Sequence, residues 1–183
     1  MVRKIQAAFL FLLLKLNLAE AGFEEAVKYI SDTTQGIRLL FLEPKAFFVV
    51  GGTFDEDPLQ PPESRRPFKC GVAAVYQNPK ETFLMQRWMY VDGYWKTLLE
   101  TTYDMIPGNS PEYTSPNYMT AKKRRGRGTI DAGTMYLLLS DMDSCALFYH
   151  KETSHCELWE SEPPKRDRLA SSFCSKYISS CNN

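Results

Sequence analysis

Five cysteines, two histidines and one arginine set among methionines are the side chains here with the chemistry to bridge, ligate or bind. His150 and His155 flank a single polar turn. A zinc site needs more such ligands than stand nearby, so both read as turn histidines facing water and no metal is expected. No nucleophile-elbow motif is present, and neither a catalytic residue nor a cofactor is expected; the chain does not read as an enzyme. Arg87 alternates with Phe83, Met85, Met89 and Val91. If that face of its strand points inward, Arg87 is a lone cation in an oily wall. A guanidinium holds a carboxylate through two parallel hydrogen bonds, which suits a fatty acid or a leukotriene-like lipid. The opposite face, Leu84, Trp88 and Tyr90, is also apolar; if that one is inner, Arg87 is solvated.

The state of the cysteines depends on compartment, and the N-terminus speaks to that. Met1 to Lys4 is a basic start, Ile5 to Leu18 is apolar apart from Lys15 and Asn17, and Ala19-Glu20-Ala21 is a small-x-small site. This is the pattern of a secretory signal peptide over 1–21, with an amphipathic N-terminal helix as the alternative. Lys15 interrupts too early for a membrane span, which needs about 20 apolar residues. The mature chain would be 22–183, secreted, with cysteines expected to pair and an odd one left over. No Asn-x-Ser/Thr acceptor is present, since Asn109-Ser110-Pro111 fails at its third residue. The formal net charge of zero gives no reason for global attraction to nucleic acid.

The elements that must position these groups are mostly strands. Phe23 to Thr34 has helical spacing at Phe23, Val27 and Ile30, and Ile37 to Leu42 is ambiguous. Ala46 to Phe54 is aromatic and β-branched, with Gly51–Gly52 suggesting a bend. Asp55 to Pro67 is a long acidic, then proline-rich loop, which points to a lid or mouth. Phe68–Tyr76, Thr82–Val91 and Trp95–Tyr103 read as further strands in meander order. After a loop at Pro107–Pro116, Tyr118–Ala121 begins a strand, Lys122–Gly128 (KKRRGRG) reads as a basic turn, and Thr129–Leu139 is the next strand. Leu147–Tyr149 and Leu158–Trp159, separated by His150–Ser154, form a hairpin. Lys165–Ser179 carries Leu169, Phe173 and Tyr177 at four-residue intervals, a C-terminal α-helix. About eight short antiparallel strands close most simply into an up-and-down barrel, all-β, with a helix before and after; a β-sandwich is the alternative.

The hairpin resembles that of the tick salivary lipocalins, whose best-known members bind histamine. The motif reads Cys145-Ala146-Leu147, then Glu157-Leu158-Trp159, then Cys174. The first strand is similar too, with Phe47–Phe48 and Thr53-Phe54-Asp55-Glu56-Asp57-Pro58, and Cys70 sits in Lys-Cys-Gly-Val. The resemblance covers nearly all of 22–181. It implies a lipocalin barrel and bridges Cys70–Cys181 and Cys145–Cys174. Cys156 is then unpaired, either buried as a small hydrophobe or joined to a second chain. Where the family has an amine-binding Asp after the first hairpin Cys, this chain has Ala146. Another acidic pocket position holds Tyr136, and an aromatic one holds Gln60. Asp57 and Glu157 remain, so a single amine site anchored on Asp57 and walled by Phe54 or Trp88 is the most the resemblance implies.

The function expected is stoichiometric sequestration of a small host mediator, a biogenic amine such as histamine or serotonin, or an acidic lipid such as a leukotriene or fatty acid. The alternative is a filled barrel that inhibits a host protein, such as a complement component, through the Asp55–Asp57 or Lys122–Arg127 segments. A monomer is expected, with a Cys156-linked dimer as the other option. The basic run also suits an anionic surface, a protease site or plain solvation.

Overall fold

The computed structural model describes residues 36–79, 81–91, 97–111, 113–163 and 172–182. The expected leader at 1–21 and the helix at Phe23–Thr34 lie outside these residues. Eight strands run in chain order: β1 (Lys45–Gly52), β2 (Phe68–Gln77), β3 (Phe83–Val91), β4 (Thr97–Gly108), β5 (Tyr118–Arg125), β6 (Gly128–Ser140), β7 (Cys145–His150) and β8 (His155–Glu160). Each pairs antiparallel with the next, and β8 returns to β1, so the sheet closes into a barrel and the sandwich alternative falls. The closing seam shifts register between Val49 and Gly51, where the Gly51–Gly52 pair lets the strand bend.

Strand alternation decides what fills the barrel. On β3, Phe83, Met85, Arg87, Met89 and Val91 are buried, while Leu84, Trp88 and Tyr90 lie on the other, partly exposed face. Phe47, Val49, Val75, Tyr103, Met105, Met119, Met135, Phe148 and Trp159 join them inside, with exposures of 0–1%. Such walls leave no surface for a water-sized sphere to touch, so side chains fill the interior. Five methionines (Met85, Met89, Met105, Met119, Met135) are among them. At one end a short helix, α1 (Ile37–Leu40), seats Ile37, Leu40 and Phe41 on an aromatic group of Phe47, Phe83 and Trp159. The backbone N–H of Ile37 donates to the Pro116 carbonyl at 3.0 Å and ties this floor to the β4–β5 connection.

The run Lys122–Arg125, expected as part of a turn, is instead the end of β5. Only Gly126 and Arg127 form the turn, and Gly126 has φ 59°, a left-handed value that glycine adopts without steric cost. β4 likewise runs on through Pro107, expected as the start of a loop.

The tail departs from expectation in both its helix and its bridges. Cys145 is bonded to Cys174, and Cys156 to Cys181, while Cys70 is free and exposed. The expected Cys70–Cys181 bridge and unpaired Cys156 are therefore corrected. Cys145 and Cys156 share the outer face of the β7–β8 hairpin, and the tail docks there with Ile178 against Leu138, Leu139, Leu147 and Leu158. Cys70 lies on β2, two strands away across β1, roughly 10 Å at the usual strand spacing and beyond the reach of a disulfide. The described part of the expected α-helix is a 3₁₀-helix, Cys174–Asn182. Its anchor points are four strand positions apart, about 13 Å. Seven residues rise about 14 Å in 3₁₀ geometry and about 10.5 Å in α, so the tighter helix matches the two bridges.

Candidate functional site

Beneath the mouth of the barrel, opposite α1, sits a buried ionic cluster. Arg87, from the middle of β3, is fully buried. Its Nε and Nη2 donate to Asp57 Oδ2 and Oδ1 at 3.3 and 3.0 Å. Its Nη1 and Nη2 donate to Glu157 Oε1 and Oε2 at 2.5 and 2.9 Å. The guanidinium thus holds two carboxylates on two of its edges, the planar fork that lysine cannot supply.

The two carboxylates are held very differently. Glu157 projects inward from β8 and takes two further donors, Trp159 Nε1 at 2.5 Å and His150 Nε2 at 2.9 Å. Four donors on two oxygens leave it no spare lone pair facing a donor site. Burial alone would push the Glu157 carboxyl up, but the Arg87 charge and the His150 N–H outweigh it and hold the group well below the usual carboxylate range. Burial likewise opposes the charge on Arg87, and Asp57 with Glu157 overrides that and pushes the guanidinium pKa up. Asp57 comes from the Asp55–Pro67 segment, which folds into the mouth. Its Oδ1 also accepts the Leu59 N–H at 3.1 Å, and its carbonyl accepts the Gln60 N–H at 3.1 Å.

Leu59 is fully buried and Gln60 nearly so, so this segment acts as a stopper. Gln60 Nε2 donates to Thr101 Oγ1 and Tyr103 Oη, both at 3.1 Å. Lys123 Nζ donates to Gln60 Oε1 at 2.6 Å, and Arg65 Nε to the Gln60 carbonyl at 3.0 Å. Tyr103 Oη donates to the Leu59 carbonyl at 3.4 Å. Burial, then the Asp57 charge, push the Tyr103 phenol up, so it stays a hydroxyl.

A profile of the family described as tick histamine binding protein matches residues 37–183. The chain belongs to the tick histamine-binding protein family. No curated protein matches it. The family is one of small-molecule binders, and the barrel described above is its lipocalin-like frame.

Of the residues singled out in the sequence, Asp57, Arg87 and Glu157 meet in one cluster. Phe54 lies at its edge, stacked on Phe68 with centroids 5.3 Å apart and edge-on to His150 at 6.1 Å. Its ring folds back over Gly52, where any Cβ would collide with it. Trp88 and Tyr136 do not face the interior. Trp88 is on the outer face of β3, because Arg87 and Met89 take the inner positions. Tyr136 packs with Tyr118 on the outside, 5.1 Å between centroids. Ala146, at the position where the resemblance has Asp, is buried among the inner residues.

His150 departs from expectation. It is the last residue of β7 and 2% exposed, so it is not a water-facing turn residue. The signal was there: His150 is two residues from Phe148 and four from Ala146, on one face of a strand. His155 is half-buried beside Thr53, with 3.2 Å between Nδ1 and Oγ1. Tyr103, read only as a strand residue, and Lys123, read only within the basic run, are brought to Gln60 by closure of the barrel.

Proposed function

We propose that this chain is a secreted lipocalin that sequesters an acidic lipid, a fatty acid or leukotriene-like mediator, by exchanging the Asp57 carboxylate for that of the ligand. One observation carries this reading: the bidentate partner of Arg87 on its Nε/Nη2 edge is a carboxylate on a loop, Asp57, whereas its partner on the other edge is fixed in a strand. A ligand carboxylate can replace Asp57 without leaving Arg87 unpaired. Withdrawal of Asp57, Leu59 and Gln60 would open the mouth towards a core that includes five buried methionines. Unbranched thioether side chains repack around irregular apolar shapes, which suits an acyl chain. The two disulfides fit an oxidising, extracellular setting. Binding is stoichiometric, with no turnover.

A biogenic amine is less well served. It would have to displace a guanidinium tethered between both carboxylates and out of water. Substituting Asp57→Asn separates the two ligands by sign. An acid gains affinity, by about tenfold if the competing carboxylate is worth 1.4 kcal/mol, and an amine loses its anchor. Native mass spectrometry with histamine, serotonin, leukotrienes and fatty acids reads this directly. Weaker acid binding in Asp57→Asn would sink the proposal. The filled interior favours a second reading, inhibition of a host protein through the projecting Lys122–Arg127 hairpin; binding of none of these small molecules would support it.

A further inference from the structure

The wall of the barrel is split on the mouth side. The β4–β5 ladder runs from Gly108↔Tyr118 to Tyr103↔Lys123 and stops there. Beyond that point, among the described residues, the backbone ladder joins Thr97–Thr102 to β3, and Arg124 and Arg125 to β6. A depression of about 640 Å³ lies in the split, lined by Gln60 and Ser64 of the mouth segment, Leu99 to Thr102 of β4, and Lys123 and Arg124 of β5. Gln60 lies between this depression and the ionic cluster. Its side chain reaches Tyr103 on one side and Lys123 on the other, and it is three residues from Asp57.

We infer that this split is a second ligand site, a side door at which an acidic group first binds Lys123 in place of Gln60, before reaching Arg87. The inference rests on the acidic-lipid reading above and adds the route and its selective residue. The charges support it. Arg124 is already held by Asp104 through a bidentate contact, with Nη2 donating to Oδ1 at 2.5 Å and Nε to Oδ2 at 3.1 Å. Glu100, the one anion in the lining, is exposed to water, which screens its charge. Lys123 spends its hydrogen bond on a neutral amide oxygen, at 2.6 Å, and a carboxylate is a stronger acceptor for an ammonium than an amide is. Taking Lys123 from Gln60 Oε1 removes the charged partner of the side-chain amide and leaves its Nε2 on Thr101 and Tyr103, two neutral partners. Arriving acid therefore loosens the residue that blocks its way. Thr101 and Thr102 supply hydroxyls along the path, and half-buried Leu99 supplies apolar surface for the chain.

Stopped-flow fluorescence with a dansyl-labelled undecanoic acid, and with the corresponding uncharged alcohol, tests this. In Lys123→Gln the ratio of acid to alcohol association rates falls about tenfold and loses its salt dependence, as expected when one steering cation is removed. In Gln60→Ala both association rates rise. Arg66→Gln, an exposed cation on the same mouth segment, leaves the ratio unchanged. An unchanged ratio in Lys123→Gln, or unchanged rates in Gln60→Ala, overturns the side door while equilibrium binding of the acid still stands. Failure of the wild-type protein to bind the acid at equilibrium overturns the acidic-lipid reading, and this inference with it.

Discussion

The barrel interior has two halves held by different physics. Under α1, Phe41, Phe47, Phe83, Phe148 and Trp159 interlock, with Phe148 and Trp159 4.7 Å apart between centroids. That packing rests on shape and buried area, with the rings enclosed by one another. Under the mouth loop, Arg87, Asp57, Glu157, His150, Tyr103 and Gln60 are joined by directional bonds. Each such bond can be handed to another donor or acceptor of the right charge. Trp159 belongs to both halves, its ring packed in the floor and its N–H on Glu157. The floor fixes the shape of the barrel, and the mouth half is where a ligand can enter by substitution of one partner for another.

The largest effect should come from removing the cation. Arg87→Met leaves Asp57 and Glu157 facing each other in a buried setting, and breaking a buried ion pair from one side costs about 3–5 kcal/mol. Phe47→Ala in the floor should cost a similar amount, about 3–5 kcal/mol, for lost burial and a cavity. The two losses differ in how they can be repaired. Adding Asp57→Asn and Glu157→Gln to Arg87→Met removes the stranded charges and should restore much of the stability, while no polar substitution repairs Phe47→Ala. Urea unfolding measures all four proteins. A triple variant as unstable as Arg87→Met alone would mean that the mouth half is held by packing, as the floor is.

The floor was far more legible than the mouth. Aromatic and β-branched runs with short turns between them point to antiparallel strands in meander order, and those strands do close in chain order. Alternation on β3 left two faces open because both are apolar, and only closure of the sheet sends Arg87 inward and Trp88 outward. His150 was lost because a histidine beside a turn looks solvated unless the strand is known to include it. Lys122–Arg125 looked like a turn because four cations rarely share a strand. At the rim of a barrel such a strand can point Lys122 and Arg124 to water and Lys123 to the mouth. The bridge partners were lost for a related reason. Which of five cysteines pair depends on which strands the tail crosses, and local sequence does not encode that.

Acid should probe the mouth half selectively. Glu157 has a folded-state pKa held below its ordinary 4.5. A depressed carboxyl contributes stability that is fully present above its unfolded pKa and is lost as pH falls below about 4.5 toward the folded value. Wild-type protein should therefore lose on the order of 2 kcal/mol to this group between pH 5 and pH 2. Glu157→Gln, already weaker at neutral pH, should show a flatter slope through that window, and Phe47→Ala should keep the wild-type slope. Denaturation midpoints taken at each pH make the comparison. Parallel slopes for wild type and Glu157→Gln would show that the acid sensitivity lies elsewhere.

The smallest predicted effect is the most local. Tyr103→Phe removes one hydroxyl that accepts from Gln60 and donates to the Leu59 carbonyl, and these two neutral hydrogen bonds, the second of them long, are together worth about 1–2 kcal/mol. The ring stays, so global stability should fall by no more than that. The stopper should feel it first. The N–H groups of Leu59 and Gln60, bonded to Asp57, should exchange with solvent faster, while the N–H of Phe41, bonded to the Ile37 carbonyl in the floor, should not change. Equal acceleration at both ends would mean that the barrel opens as one unit and that the mouth has no separate motion. Acceleration confined to the mouth would mean that the stopper can lift while the floor stays packed, as exchange of Asp57 for a ligand carboxylate requires.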